Sequence, residues 1–272
     1  MIDRPLRAPS REQIVVAIEE NLFALAPLFR SLPGAEWGEG PEGRWTVSDV
    51  AFPFFNSVLA TDVAPEGVDA AIDRVLARAR RRRVPVLWWT GPRSRPRDLG
   101  ARIERRGFSR DEEAPGMALE LARLPTATGA PGALAVERVE SGAALAAFVA
   151  TFREGFGIDA AFERPWIGWL AGLGLGDGAP FRHYLARLDG EPVGTASVLL
   201  AAGVAGVYNV ATVPAARRQG VGAETTRVAL AAARDRDGCA WSILHASAMG
   251  LRVYRALGFR EHCRIGVYFW MG

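Results

Sequence analysis

Lysine is absent from this sequence, so all 33 residues counted as lysine or arginine are arginine. Histidine and cysteine are scarce, with three and two copies in 272 residues. Cys239 and Cys263 lack the short spacing of a metal site, and two cysteines are too few for a disulfide scaffold. We therefore expect no metal and a reducing, cytoplasmic setting. The arginine usage, with abundant alanine and glycine, indicates a GC-rich bacterial genome.

The charge balance and the composition are those of an ordinary globular protein. Hydrophobic residues make up 49% and charged residues 23% of the chain, and the formal net charge is +3. A surplus this small does not favour nucleic-acid binding, which needs basic residues concentrated on one surface. The N-terminal stretch MIDRPLRAPSREQ has no apolar core behind its basic residues, so we expect no secretory signal. The length suits one large domain or two small ones.

One uncharged run needs a test as a membrane span. Residues 192–216 carry no charge and are long enough to cross a bilayer. The run nevertheless contains several glycines and Pro214, and it divides at Ala-Ala-Gly, residues 201–203, into two strand-length pieces. We therefore predict two buried strands and no membrane partner.

The chain is predicted to contain two similar halves joined by a linker. Residues 122–133, ARLPTATGAPGA, are rich in proline, glycine and threonine and lack apolar periodicity, which is typical of a linker. The order strand, loop, arginine-rich helix, Gly-Phe and strand occurs on both sides of it, with Gly-Phe at 107–108 and 258–259. The sequence thus predicts one domain over residues 1–121 and a second over residues 134–272.

Local patterns in the first half predict its main elements. A capping box at Ser10 and Gln13 starts a helix over residues 11–31, and the runs WTVSDVA and FPFFNSVLATDV are predicted strands. The four arginines at 80–83 end a second helix, where they either complement its dipole in solvent or bind an anionic ligand. We interpret the following residues as core and inter-domain packing rather than a ligand cage: Trp88, Trp89, Phe54, Phe55 and Asn56.

The chemistry-bearing stretch is VYNVATVPAARRQGVGA, residues 207–223. An apolar strand pattern leads into Arg217-x-x-Gly220-x-Gly222, and the residues beyond have helical composition. At such a junction the backbone N–H groups of residues 218–223 point toward a ligand, and glycine permits its close approach. Arginine adds charge-assisted bonds to phosphate oxygens. The stretch lacks the Lys-Ser/Thr of a P-loop and the G-x-G-x-x-G of a dinucleotide turn, so it predicts neither of those sites.

This motif and a second one downstream together resemble the GNAT superfamily of N-acyltransferases. The second motif is Val-Tyr-x-x-Leu-Gly-Phe, residues 253–259, one helix and one strand after the first. The resemblance covers most of residues 134–272. It implies an α/β fold of two GNAT-like units, each a mixed, mostly antiparallel sheet flanked by helices. Residues 1–121 retain no R-x-x-G-x-G, so the N-terminal unit is expected to be degenerate in cofactor binding.

The resemblance also implies a cosubstrate, acetyl-CoA, and the residues that bind it. Tyr254 matches the tyrosine that protonates the departing CoA thiolate, a role suited to a phenol. The strand residues 211–213 would pair with the pantetheine amides. Family members often carry asparagine in place of Ser247 and alanine in place of Gly250, so this chain departs from them there. The implied contacts of acetyl-CoA are Ala211, Thr212, Val213, Arg217, Arg218, Gln219, Gly220, Val221, Gly222, Ala223 and Ser247.

The general base and the acceptor stay open at this level. A neutral amine must lose a proton when it is acylated, and four residues near the motif could accept that proton: His183, Asn209 acting through water, Glu224 and His245. Each of them could equally be an ordinary residue of a strand or a helix without a catalytic role. We expect transfer of an acetyl or short acyl group to a primary amine of a small molecule or a peptide. A non-catalytic CoA-binding regulatory module and a tandem acyltransferase similar to mycothiol synthases are the alternatives. A homodimer is compatible with either.

Overall fold

A computed structural model of the protein describes residues 4–40, 42–111 and 113–272. The α-helices of the described residues are α1 Arg11–Phe23, α2 Val68–Arg82, α3 Leu99–Arg105, α4 Gly142–Phe156, α5 Glu163–Gly172, α6 Val221–Asp237 and α7 Leu251–Ala256. The strands are β1 Glu36–Gly40, β2 Gly43–Val47, β3 Ser57–Leu59, β4 Val86–Thr90, β5 Ser109–Arg110, β6 Ala114–Glu120, β7 Leu134–Arg138, β8 Phe181–Leu188, β9 Glu191–Ala201, β10 Val204–Thr212, β11 Trp241–His245 and β12 Arg260–Trp270.

The chain forms two compact units, and they are interleaved in the sequence. The C-terminal unit contains residues up to Asn21 together with residues 116–262, and the N-terminal unit contains residues 22–115 and 263–272. This grouping differs from the division into residues 1–121 and 134–272 that the linker indicates. The reason is that α1 belongs to the C-terminal unit, while most of β12 belongs to the N-terminal one. Apolar periodicity identifies a buried face but not the sheet that buries it.

The C-terminal unit is built on a sheet with the strand order β6, β11, β10, β9, β8, β7. Its neighbouring strands are antiparallel except for β10 and β11, which run parallel. Helix α6 covers one face, because its Leu230 shares a hydrophobic cluster with Tyr184 of β8. The next residue back, His183, points to the opposite face, where its ring centroid lies 5.0 Å from that of Phe148 in α4. The sheet is therefore covered on both faces.

The uncharged run at residues 192–216 forms strands, as predicted. Two tight hairpins join β8 to β9 and β9 to β10, and both residues of each turn have positive φ, at 189–190 and 202–203. Within the part of the chain that the structure describes, no helix has the length and apolarity to cross a membrane.

Helix α1 anchors itself to the C-terminal unit through a buried asparagine. Asn21 Nδ2 donates to the carbonyls of Leu199 and Ala201 at 3.2 and 3.0 Å. The predicted capping box is confirmed, since the Ser10 N–H donates to Gln13 Oε1 at 2.8 Å and the Gln13 N–H to Ser10 Oγ at 3.2 Å. The predicted helix end at residue 31 is wrong.

The premature end of α1 follows from a proline. The α-helix stops at Phe23 and a 3-10 helix, Ala26–Ser31, follows, with a proline in its first turn. Proline has no N–H to donate to the carbonyl four residues earlier, so it does not continue an α-helix. The same property breaks the predicted strand FPFFNSVLATDV, in which Pro53–Phe55 is a 3-10 turn and only Ser57–Leu59 is a strand.

The N-terminal unit has its own sheet, in the order β1, β2, β3, β4, β12, with β5 also paired to β12. Only β3 and β4 run parallel. Trp88, Phe55 and Asn56 are fully buried, as the packing interpretation predicts. The arginine run ends α2 and is ion-paired within the unit, because Arg81 and Arg82 both bind Glu36. These pairs support the structural reading of the run.

Candidate functional site

The two parallel strands of the C-terminal unit separate after three residue pairs. Residues 205–207 of β10 pair with residues 242–244 of β11, and the register ends there. Strand β10 nevertheless continues to Thr212 and stays paired with β9 on its other edge. Among the described residues no strand pairs with the β11-facing edge of β10 beyond Val207. This open edge carries main-chain donors and acceptors that an extended ligand could use.

A β-bulge accounts for the separation. Two residues of β10, Asn209 and Val210, oppose a single residue of β9, and Asn209 has φ 51°. Such a bulge bends its strand and increases the local twist. Side chains of β9 hold it in place, because Thr195 Oγ1 donates to the Asn209 carbonyl at 2.7 Å and Asn209 Nδ2 donates to Ser197 Oγ at 3.2 Å. A stretch read only as an apolar strand therefore contains the bend that opens the site.

Strand alternation decides which main-chain groups face the opening. The Val213 N–H donates to the Val193 carbonyl on the β9 side at 3.0 Å. Because successive residues of a strand point their N–H and C=O groups to opposite edges, Ala211 shares the side of Val213, while Thr212 and Val210 face the open edge. Of the three residues expected to pair with pantetheine, only Thr212 is therefore directed into the opening. Val210 is the residue that the sequence interpretation missed, since a bulge cannot be seen in an apolar run.

The turn between β10 and α6 presents a row of main-chain donors. After the 3-10 turn Pro214–Ala216, Arg218 and Gly220 adopt positive φ of 63° and 80°, and Gly220 caps α6. The backbone N–H groups of residues 218–223 donate to no other described residue. Helix N-terminal N–H groups carry partial positive charge, and with consecutive donors in a turn they form an anion cradle. We call residues 218–223 the anion cradle.

The two motif arginines have different environments. Arg217 is tied to the main chain: Nε donates to the Thr212 carbonyl at 3.3 Å and Nη2 to the Gly155 carbonyl at 2.8 Å. Arg218 is exposed and makes no hydrogen bond or ion pair with another described residue. Gln219 Nε2 donates to the Ala215 carbonyl at 3.2 Å, within the same turn. Arg218 is thus the side chain with its charge available, whereas Arg217 braces the turn.

Tyr254 lies on α7, the helix that follows β11. Its side chain is 8% exposed, and its ring centroid lies 5.9 Å from that of Phe259. Gly250 makes room for it, since a β-carbon there would lie 2.7 Å from the tyrosine ring. Ser247 Oγ accepts from the Gly250 N–H at 3.1 Å, so this hydroxyl caps the start of α7. The departure from alanine at Gly250 has a steric reason in this chain.

The Tyr254 hydroxyl is held as a neutral donor. It makes no hydrogen bond with any other described residue, and burial raises the pKa of the phenol above its ordinary value. Burial disfavours the phenolate, so the proton stays on Tyr254 throughout the physiological range. The phenol is therefore available as a hydrogen-bond donor rather than as a base.

The four candidate bases are not equivalent. A hydrogen bond with Arg227 holds the pKa of Glu224 below its usual range, and burial only partly opposes it. Burial lowers the pKa of His183 to about 3 and that of His245 to about 4, the latter despite a hydrogen bond with the Ile18 backbone. These three groups hold protons weakly near neutral pH. The fourth candidate, Asn209, lies in the bulge on the open strand.

A buried polar chain runs from the bulge into the sheet. Ser197 Oγ accepts from Asn209 Nδ2 and lies 2.7 Å from His183 Nδ1. His183 is 1% exposed, and its Nε2 has no hydrogen-bond partner among the described residues. The Ser197 hydroxyl either donates to Nδ1 or accepts from it, according to the tautomer of His183. This series of hydrogen bonds fixes the orientation of the Asn209 side chain.

The corresponding place in the N-terminal unit is closed. Strands β3 and β4 are also parallel and are also followed by helices. The chain after β4 returns to the end of β3, where the Arg95 N–H donates to the Thr61 carbonyl at 3.0 Å and the Val63 N–H to the Arg95 carbonyl at 3.3 Å. On the matching edge of β10 no described strand forms such bonds beyond Val207, and the Thr212 carbonyl accepts only from the Arg217 side chain.

The chemistry of the N-terminal unit differs as well. Asp62 and Glu66 precede α2 and Asp69 lies in its first turn, so carboxylates stand where the other unit has arginine and glycine. The Phe108 N–H donates to the carbonyl of Ile103, just as the Phe259 N–H donates to that of Tyr254. Ile103 therefore occupies the tyrosine position without a hydroxyl. In the described residues of this unit, carboxylates and Ile103 therefore lie where the C-terminal unit has the glycine turn and Tyr254.

The residues of the C-terminal site fit a long ligand that has amide groups along its length and phosphate at one end. The open edge of β10 offers strand pairing, the anion cradle offers N–H donors, and Tyr254 offers a neutral hydroxyl. Within the described ranges no group of three or more His, Cys, Asp and Glu residues could hold a metal ion. Most of the predicted contacts thus lie on one continuous stretch, residues 210–223.

Comparison with known proteins assigns this region to a family. Residues 143–259 match the profile of the acetyltransferase (GNAT) family. No curated protein matches the chain in sequence.

Solved structures extend the similarity to the whole chain. A GCN5-related N-acetyltransferase from Kribbella flavida is 22% identical, with 94% of this chain and 96% of that chain covered and a TM-score of 0.74. One from Sphaerobacter thermophilus is 17% identical, with 97% and 94% covered and a TM-score of 0.62. A tandem GNAT protein from the clavulanic acid biosynthesis pathway is 16% identical, with 98% and 97% covered and a TM-score of 0.58. The predicted fold of two GNAT-like units is confirmed.

Proposed function

We propose that this chain is an acyltransferase of the GNAT superfamily and that it transfers an acetyl or other short acyl group from acetyl-CoA to a primary amine, since residues 143–259 match the profile of that family. The observation that carries the proposal is the open edge of β10 running directly into the anion cradle. Acetyl-CoA has the matching sequence of chemical groups: a thioester, amides and a pyrophosphate. When bound, it supplies a carbonyl carbon for the amine nitrogen to attack and a thiol leaving group.

Each part of the site has a distinct task in this proposal. The open-edge groups of Val210 and Thr212 pair with the amides and orient the acyl carbonyl. The N–H groups of residues 218–223 hold the pyrophosphate, with Arg218 adding charge. Residues 1–121 contain no R-x-x-G-x-G, so the N-terminal unit is proposed to bind no second CoA.

Tyr254 acts on the sulfur as a hydrogen-bond donor. A thiol has a pKa near 8.5, well below that of a buried phenol, so complete transfer of the phenolic proton to a thiolate is uphill. The hydroxyl instead stabilises the negative charge that develops on sulfur as the C–S bond breaks. The proton that finally neutralises the thiolate comes from the attacking amine, which must lose one to become the amide nitrogen. This route needs no strong base, consistent with the lowered pKa values of His183 and His245.

The acceptor is proposed to be a small-molecule or peptide amine in the cytoplasm. Cys239 and Cys263 are not joined in a disulfide, which fits a reducing compartment where acetyl-CoA is available. Nucleic acid and membrane are not needed as partners for this chemistry.

An amine panel tests the proposal. Purified full-length protein is incubated with acetyl-CoA and amines of several classes, released thiol is followed with a chromogenic reagent, and products are checked by mass spectrometry. We expect thiol release coupled to acetylation of at least one amine, with no release when the N-acetylated amine replaces it. Calorimetry with CoA should give one site per chain. CoA binding without release for every amine would instead support a sensor, and absence of CoA binding would overturn the proposal.

A further inference from the structure

The linker lies against the first turn of α6. We call residues 126–132 the linker segment; they lie within the C-terminal unit and outside the assigned helices and strands. Thr128 Oγ1 donates to Glu224 Oε2 at 2.7 Å. A β-carbon on Gly220 would lie 3.3 Å from the Cα of Ala130. The linker segment therefore contacts α6 beside the anion cradle as well as at Gly220 within it.

The negative charge of Glu224 lies where it could weaken the binding of an anion. It is an acidic residue in the first turn of α6, directly after the cradle. A carboxylate in a first turn is attracted to the same N–H groups and helix dipole as a phosphate. Left free, the Glu224 side chain would compete with an anionic ligand or repel it.

The structure holds this carboxylate away from the helix start. Arg227, one turn further along α6, binds it through two contacts, Nε to Oε2 at 2.8 Å and Nη2 to Oε1 at 2.6 Å. Thr128 adds a third bond from outside the helix. The side chains of Glu224 and Arg227 are only 18% and 19% exposed, so the pair is shielded from solvent. The two Arg227 bonds hold the charge toward the next turn of α6, and the Thr128 bond fixes Oε2 in that position.

We propose that Thr128 is a positioning residue for CoA: by fixing the Glu224 carboxylate on Arg227, it keeps that charge out of the anion cradle. The inference rests on the proposed function, because it names a determinant of affinity in the same site. In this role of Thr128, the linker segment is part of the CoA-binding site as well as the connection between the two halves of the sequence.

Affinity measurements on four proteins test this role. The dissociation constant of CoA is measured by calorimetry for the wild type, Thr128→Val, Thr128→Ser and Thr128→Val/Glu224→Gln. Valine keeps the shape and removes the donor, serine keeps the donor, and glutamine removes the charge. We expect Thr128→Val to weaken CoA binding about fivefold, a factor of the size that one charge at a helix terminus produces. Thr128→Ser should bind like the wild type, and Glu224→Gln should restore the affinity of Thr128→Val.

A ligand without phosphate distinguishes an electrostatic effect of Glu224 from a general loss of site structure in the variant. Pantetheine carries the amides and the thiol but no pyrophosphate, so its affinity should be the same in Thr128→Val and the wild type. Equal CoA affinity in those two proteins, or failure of Glu224→Gln to restore it, would overturn the inference. A wild type that does not bind CoA at all would overturn the proposed function instead, so the two failures are distinguishable.

Discussion

The guanidinium of Arg217 donates through Nη2 to the carbonyl of Gly155 at 2.8 Å, so the arginine of the glycine turn is bonded to the end of α4. Its Nε donates to the Thr212 carbonyl on the open strand. A β-carbon on Gly155 would lie 2.7 Å from that of Ala211, so α4 and β10 touch at this point. One side chain therefore holds together the turn, the open strand and a helix on the opposite face from α6. Its partners are neutral carbonyls.

Replacing Arg217 and Arg218 one at a time should distinguish an arginine that stabilises the turn from one whose charge binds the phosphates of CoA. Arg217→Ala removes the bonds to two carbonyls and should lower the free energy of unfolding by about 1 kcal/mol, the usual net worth of such bonds near a surface. Arg218→Ala removes no intramolecular bond, so it should leave stability unchanged and weaken CoA binding instead. Urea denaturation and calorimetry on both variants check the pair. Equal stability of the two variants would contradict the brace.

Loss of the Tyr254 hydroxyl should affect turnover and leave affinity unchanged. Tyr254→Phe keeps the ring that packs on Gly250 and Phe259, while it removes the donor proposed to face the leaving sulfur. We expect kcat to fall by about a hundredfold or more, the range for a lost donor or acid in a transition state, with the CoA dissociation constant little changed. Tyr184→Phe removes another buried phenol of the same core and is the matched control. A Tyr254→Phe enzyme with normal turnover would reject the role.

A negative side chain in the anion cradle should abolish binding. Gly220→Asp places a carboxylate among the N–H groups and also forces a side chain into a residue with φ 80° beside Ala130. We expect no measurable heat with acetyl-CoA. Gly176→Asp adds the same charge on a loop where a β-carbon meets nothing within 4 Å, so it should bind normally. If Gly220→Asp is folded by circular dichroism and retains affinity, residues 218–223 are not the cradle.

Stability should fall as the solution becomes acidic, and His183 should contribute to the slope. Burial lowers the pKa of this imidazole to about 3, from an ordinary value of 6.5. Between those values the unfolded chain binds a proton that the folded chain does not. Folding therefore loses stability as pH falls below 6.5, by up to about 1.4 kcal/mol per pH unit for this group.

Denaturation at two pH values isolates that contribution. Urea melts of the wild type at pH 7 and pH 5 should show the loss, and the difference should shrink in His183→Gln, which cannot titrate. His245, whose pKa burial lowers to about 4, produces a residual slope in both proteins. An identical pH dependence in the wild type and the variant would show that His183 titrates alike in the folded and unfolded chain.

Local sequence is sufficient to predict a structural feature when the interactions that form the feature lie between neighbouring residues. The capping box at Ser10, the division of the uncharged run at residues 201–203, and the Gly-Phe helix endings need only neighbouring residues, and all are present in the structure. The two prolines that end α1 and interrupt the next strand were also visible, but their effect was underestimated. The glycine turn and Tyr254 are recognisable from residue type and spacing alone.

Other features depend on residues that are distant in the sequence. The bulge at Asn209 is held by β9 side chains, and it decides that Val210 and Thr212, rather than Ala211 and Val213, face the opening. Nothing in the run ARLPTATGAPGA indicates that Thr128 binds Glu224. Periodicity likewise could not assign α1 and β12 to their units, because it reports burial without naming the partner.

Residue types and their spacing predict a strand, a glycine turn and a helix that suit an anion, followed by a tyrosine, and they show no second R-x-x-G-x-G in residues 1–121. Those properties follow from residue type and spacing along a few turns of chain. The packed sheet is needed to see that β10 and β11 separate after Val207 and that the linker segment reaches the anion cradle. It also shows that Arg217 is bonded to the main chain, whereas Arg218 has no partner among the described residues. Each of these depends on which distant main-chain and side-chain groups come within hydrogen-bond distance when the sheet forms.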